Sequence, residues 1–296
     1  MWSIDSFMNL MVGDGSAVGT WLARTGFSLA CLIKIAMEFK RDYSGYYEPT
    51  TYLYFKVRAQ HLKHRQRMPT KLHYRVFLAT RLLFSAALFL GIAPRFAAVG
   101  LAFCFAFEGL IHFKFHVNFF TLLACCFVFS PDMPMLWDPV VKILAGDPQS
   151  ALNIVRSAHG SRFCQSAVAL TLSALYIGGA RRKLNTPFIS GMVVISILRY
   201  TLAEAPRRHH FDGWYPRSFQ AWTARVQPGD RIVKVAMTSV IGLEAVLPLA
   251  LLIPGVWPYA LGVGVLMHAA FTFMFPGTLT AFSVATVSTY FCFMPA

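Results

Sequence analysis

Lys183, His116, His268 and Glu244 stand out chemically in this 296-residue chain, because each lies in or beside an apolar run. An ionisable group inside a bilayer is costly unless it has a partner or a use. Lys183 belongs to Gly178-Gly179-Ala180-Arg181-Arg182-Lys183-Leu184-Asn185, directly after an apolar stretch. Desolvation and the like charges of Arg181 and Arg182 favour its neutral amine, which then serves as a base. The competing reading is a basic cluster that anchors a helix end at the membrane interface.

His116 lies in the polar knot His112-Phe113-Lys114-Phe115-His116-Val117-Asn118. Glu108, His112 and His116 are four apart, so on an unbroken helix they share one face. Histidines at i and i+4 are a known metal-ligand pair. One such pair, with His209-His210 elsewhere, falls short of the several histidine boxes of membrane di-metal oxygenases, and no metal is expected. A hydrogen-bonded histidine at a helix junction is the other reading. His268 is alone in Gly264-Val265-Leu266-Met267-His268-Ala269-Ala270-Phe271 and reads as a packed core residue or a pocket residue. Glu244 is mid-run, and Arg24, Lys34 and Arg81 are its expected partners in structural ion pairs. An unpaired arginine at a helix centre costs about 2.5–3.5 kcal/mol. Arg24 and Arg81 should therefore each find a carbonyl or an acid among Glu38, Glu108 and Glu244.

These residues need a membrane to position them. Hydrophobic residues make up 56% of the chain and charged residues 14%, where soluble domains carry ~25% charged residues. That excludes a soluble globular protein, a disordered chain and a small disulfide scaffold. The expected fold is an all-α polytopic bundle of eight or nine transmembrane helices, in one domain over residues 1–296. Apolar runs fall at 16–38, 76–93, 95–130 (split at the knot), 163–180, 188–203, 232–253, 256–275 and 278–294, and the 188–203 run decides between eight and nine. Three loops separate them: 39–75, 131–162 and 204–231. The first carries nine Lys/Arg against Asp42 and Glu48. The positive-inside rule places it in the cytoplasm and the amino terminus outside. Its stretch Tyr52 to Met68 mixes aromatic and basic residues, as a solvated loop or as a segment lying on anionic lipid.

The net charge of +14 suits anionic membrane lipids rather than nucleic acid, because no independent domain remains to read a groove. The six cysteines form no CxxC and read as buried thiols. Residues 1–14 lack a basic n-region, so no secretory signal peptide is expected. No nucleotide-binding motif and no inverted repeat are visible, which weakens a transporter reading.

Taken in order, these elements resemble the HTTM domain, the membrane domain shared with vitamin K-dependent γ-glutamyl carboxylases. Leu78 to Leu123 resembles that domain's paired helices followed by its Asn-His-x-Tyr-Leu element. His116 falls on the histidine, Phe115 replaces the Asn, and Asn118 stands where an aromatic is usual. Gly179 to Gly191 resembles Ala-Gly-x-Lys-Lys-Leu-Asp/Asn-x-x-Trp-x-x-Gly. Lys183, Leu184, Asn185 and Gly191 fit it, with Arg182 for the first Lys and Phe188 for the Trp. Leu249 to Phe293 resembles the last two helices, with His268 on their histidine.

The resemblance implies that Lys183 deprotonates a reduced quinone, a vitamin K hydroquinone-like cofactor, while His116 stabilises charge. His268, Asn185 and Arg182 would bind the cofactor. O2 would then generate a strong alkoxide base that removes a proton from the substrate. CO2 would capture the carbanion, and the quinone would leave as its epoxide. A bilayer site admits a lipophilic quinone laterally and excludes water. The substrate would be a peptide or small molecule. The carboxylases also carry a large soluble domain, and none is expected here. Bacterial HTTM proteins of similar size include peptide-toxin maturation components. The alternative is thus a non-catalytic membrane partner in maturation or export, working with another membrane or soluble protein in the bacterial inner (cytoplasmic) membrane.

Overall fold

The computed structural model describes residues 14–47, 58–59, 62–63, 70–111, 115–130, 134–158, 160–204 and 215–294. Two-residue strands β1 (Asp14–Gly15) and β2 (Gly160–Ser161) pair antiparallel. All other regular structure among the described residues is helical. In order come α1 (Ala17–Tyr47), α2 (Lys71–Leu90), α3 (Pro94–Ile111), α4 (Phe115–Val128), α5 (Trp137–Leu144), α6 (Pro148–Arg156) and α7 (Arg162–Lys183). They are followed by α8 (Thr186–Ile189), α9 (Met192–Glu204), α10 (Arg217–Arg225), α11 (Arg231–Leu251), α12 (Trp257–Met274), α13 (Pro276–Tyr290) and a 3-10 turn (Phe291–Phe293).

Four of these helices, α2, α7, α11 and α12, are long and apolar enough to cross a membrane. The expected count of eight or nine spans is not supported on that criterion. The other apolar runs are helical too, but α4, α9 and α13 have 14, 13 and 15 residues, fewer than the ~20 a span needs. The long α1 carries Arg24 and Lys34 in its middle and continues to Tyr47, well past the apolar run. The basic loop is correspondingly shorter than 39–75, because α2 starts at Lys71. There the Thr70 side chain caps the helix by accepting from the His73 amide at 3.2 Å. Most of Tyr52 to Met68 lies outside the described residues. The 131–162 loop holds α5 and α6, and the 204–231 loop holds α10.

The chain forms two compact units, Met1–Thr171 with Val284–Ala296, and Leu172–Ser283. In the first, Phe27 packs against Phe120 and Phe127, with ring centroids 5.7 and 5.3 Å apart. Phe105 meets Phe120 at 5.1 Å. Small residues let backbones close up: a Cβ on Gly26 would stand 2.1 Å from Ser288 Oγ. Charges are buried inside this unit. Arg81 Nη1 donates to Glu108 Oε2 at 2.6 Å, and Lys34 Nζ lies 2.9 Å from Glu108 Oε1. Arg24 Nη2 donates to the Pro134 carbonyl at 3.4 Å. Both arginines thus find polar partners, one an acid and one a carbonyl; the Glu38 side chain lies outside the described set.

In the second unit, α11 buries one stripe, Val233, Met237, Ile241, Glu244, Leu247, Pro248 and Leu251. Its other faces expose Ile232, Val235, Leu243, Val246 and Leu249, and α12 exposes Tyr259, Leu266 and Phe273. A helix apolar on its outward face suits lipid rather than water. Arg199 ties α9 to the end of α10: its Nε and Nη2 donate to the Thr223 and Val226 carbonyls at 3.2 and 2.7 Å. These carbonyls are left over at a helix C-terminus and need such donors. Between α8 and α9, Gly191 has φ +76°, and a Cβ there would stand 2.1 Å from Val233 Cγ1. Only glycine meets both conditions at low cost.

Candidate functional site

The second unit assembles a polar set around the last three turns of α7. Tyr176, Gly179, Ala180 and Lys183 recur at helical spacing, so they share one face, with Tyr176 and Lys183 about 10 Å apart along the axis. Lys183 lies in the last turn with Arg181 and Arg182. Its Nζ donates to Glu244 Oε1. The Lys183 side chain is 27% exposed and that of Glu244 is 7% exposed. The Lys183 ammonium also lies 5.4 Å from the Phe188 ring centroid and 5.7 Å from that of Phe271. Such contacts hold a cation against a ring face.

Glu244 therefore pairs with Lys183, not with Arg24, Lys34 or Arg81, which have the partners given above. The sequence marked Glu244 as needing a cation but could not say which one. Lys183 is 61 residues away, a separation with no periodicity to read.

His268 is buried on α12 and bonded at both ring nitrogens. Nε2 is 2.7 Å from Tyr176 Oη, and Nδ1 is 3.2 Å from Ser283 Oγ. Rings surround it, Phe271 at 5.5 Å and Phe282 at 5.9 Å. Phe271, one turn after His268, is the same ring that flanks Lys183. His268 is thus a satisfied histidine beside the Lys183–Glu244 pair. Sequence reading missed Tyr176 and Ser283; Tyr176 was findable, because it stands two turns before Lys183 on the same face.

Asn185 and Arg182 are exposed. Asn185 caps α8, its Oδ1 accepting from the Phe188 amide at 3.0 Å and its Nδ2 donating to the Arg182 carbonyl at 2.6 Å. That bond fixes where Phe188 stands, so Asn185 acts on the site through Phe188. His116 belongs to the first unit, half-buried near the start of α4. Residues 112–114, with His112, lie outside the description, and α3 and α4 are separate elements on either side. Among the described residues, no three His, Cys, Asp or Glu side chains gather as they would around a metal ion.

The set offers an amine and a carboxylate in contact, walled by aromatic rings, with a buried tyrosine–histidine–serine chain alongside. A proton shift along the Lys183–Glu244 bond converts ammonium and carboxylate into amine and carboxylic acid. Comparison of the chain with protein-family models, with curated proteins and with solved structures finds no match.

Proposed function

We propose that this chain is an integral-membrane enzyme that uses a reduced quinone and O2 to drive proton abstraction, carboxylation or oxidation of a peptide or small substrate. One observation carries the reading: the Lys183 amine is held on a buried carboxylate between Phe188 and Phe271 in an apolar bundle. The residues fit a hydroxyl-bearing aromatic head group, since rings offer it a flat wall and Glu244 Oε2 is a buried acceptor with no donor among the described residues. Bound there, a reduced quinone would be oxidised by O2 to its epoxide, one oxygen atom entering the epoxide and the other leaving as water.

In this reading Lys183 takes the hydroxyl proton. For that, Lys183 first passes its own proton to Glu244, so the proton taken from the hydroxyl leaves an ammonium facing the bound anion beside a neutral carboxylic acid, and no charge stands unpaired in a medium that disfavours it. His268, bonded at both nitrogens, holds one tautomer and shapes the pocket. Asn185 positions Phe188, and Arg182 stands at the exposed end of α7 beside them. The charge-stabilising role of His116, CO2 as co-substrate and the relation to the HTTM domain rest on the sequence resemblance. So does the placing in a bacterial cytoplasmic membrane. We also infer that the shorter apolar helices α4, α9 and α13 are embedded with the four long ones, since α4 and α13 each bury about half of their residues.

The second reading, a non-catalytic HTTM partner in peptide maturation or export, draws on the first unit. There the buried charges Lys34, Arg81 and Glu108 are paired with one another, and Lys183–Glu244 would be one more structural pair. Solvent extraction of the purified protein separates the two. The enzyme reading expects stoichiometric quinone in the extract, lost in Lys183→Ala; phospholipid alone in the wild-type extract would favour the partner reading.

A further inference from the structure

The Glu244 carboxylate is used on one side only. Oε1 takes the Lys183 amine, whereas Oε2 is buried and has no donor among the described residues. Glu244 as a whole is 5% exposed. A buried carboxylate oxygen without a donor is costly, and lipid tails supply none. Bare backbone lies beside it. A Cβ on Gly179 would stand 3.5 Å from Oε2, and a Cβ on Gly178 would have nothing within 4 Å. Two consecutive glycines inside α7 cost helix stability, and Gly179 brings side-chain-free backbone against a buried carboxylate oxygen that lacks a donor among the described residues. Phe188 and Phe271 flank the other end of the same ion pair.

We propose that Glu244 Oε2, over the Gly178–Gly179 backbone, is the acceptor subsite for the hydroxyl of a lipophilic aromatic alcohol, and that it makes the site prefer a hydroquinone to its quinone. A hydroxyl donates to Oε2. A quinone carbonyl has no proton to give and would set two acceptors face to face. Oε2 remains an acceptor whether the shared proton sits on Lys183 Nζ or on Glu244 Oε1. The proposal rests on the quinone reading only for the identity of the ligand; the hydroxyl-accepting geometry stands on its own.

The test is calorimetric binding to protein in nanodiscs, with empty nanodiscs subtracted, using two probe pairs. One pair is 2-methyl-1,4-naphthohydroquinone and its quinone, under anaerobic conditions; the other is 1-naphthol and 1-methoxynaphthalene. Wild type should bind the hydroxyl member of each pair about tenfold more tightly. In Glu244→Gln the Lys183 amine claims the amide oxygen, so the amide NH2 takes the place of Oε2 and an acceptor becomes a donor. The preference should then vanish or invert.

Gly179→Ala covers Oε2 with a methyl group and leaves the Lys183 contact alone. It should reduce the preference without loss of thermal stability, which keeps the test decisive where Glu244→Gln folds poorly. A naphthol preference that depends on Glu244, with neither quinone form bound, supports the subsite and ends the quinone reading. Equal binding of quinone and hydroquinone in wild type, or an unchanged preference in Gly179→Ala, overturns the subsite and leaves the quinone reading standing. Binding of none of the four probes overturns both.

Discussion

Lys183→Arg is expected to lose turnover nearly as completely as Lys183→Ala, although it keeps the positive charge. The reason is proton chemistry. The amine of Lys183 can exchange a proton with Glu244 Oε1, with which it is in contact, and can then accept one from a bound hydroxyl. A guanidinium stays protonated in any protein environment and cannot act as a base. Removal of a general base costs on the order of 10²–10⁴ in rate, and both variants should fall in that range. An interfacial anchor predicts the reverse order, since Arg would replace Lys well at a helix end while Ala would loosen it. Turnover and thermal unfolding of both variants separate the cases. Wild-type turnover in Lys183→Arg would end the assignment of Lys183 as base.

Glu108→Ala should be the most destabilising single change in the first unit. Glu108 lies between two cations from different helices, Lys34 on α1 and Arg81 on α2, and all three residues are no more than 5% exposed. Removing one member of a buried charged set typically costs about 3–5 kcal/mol, because the remaining charges stay desolvated. Replacing all three together by Lys34→Met, Arg81→Met and Glu108→Leu should cost far less, since no charge is then left in the interior. The measurement is unfolding in detergent micelles, with Asp138→Ala as an exposed control. A Glu108→Ala protein as stable as that control would show that the three charges are hydrated rather than buried.

The helical class and the order of the elements were legible in the sequence, because a bilayer imposes a strong length and hydropathy signal. Seven apolar runs each became a helix, and the long run at 95–130 broke where the His112–Asn118 knot indicated. The ends of the helices were not legible. Hydropathy marks where a helix leaves the apolar layer, not where its backbone stops. The charged residues after position 38 are acceptable helix formers, so α1 runs on to Tyr47. The expected count of eight or nine full spans is not supported, for a related reason. An apolar run of the right composition, such as 188–203, includes a capped turn at Asn185–Ile189 and the left-handed Gly191, so α9 keeps only 13 residues.

At the candidate site, the individual residues were visible and their pairing was not. Lys183 was marked by its place after an apolar helix, and Glu244 and His268 by being polar in apolar runs. That Lys183 and Glu244 meet, and that Tyr176 and Ser283 bracket His268, depends on helix packing across 61, 92 and 15 residues. No local pattern records those distances. Arg81 and Glu108 are the same case at 27 residues: Arg81 was flagged as a charge inside an apolar run, and Glu108 was one of three acids that sequence reading could offer.

The most direct test of the account is product formation from a reduced quinone. Protein in nanodiscs, loaded anaerobically with 2-methyl-1,4-naphthohydroquinone, is given O2, and the quinone pool is resolved by chromatography and mass spectrometry. The account predicts the quinone epoxide, formed with one water per O2 consumed, in wild type and not in Lys183→Ala or Lys183→Arg. Oxidation to the quinone alone, at the same rate in wild type, both variants and empty nanodiscs, would contradict it.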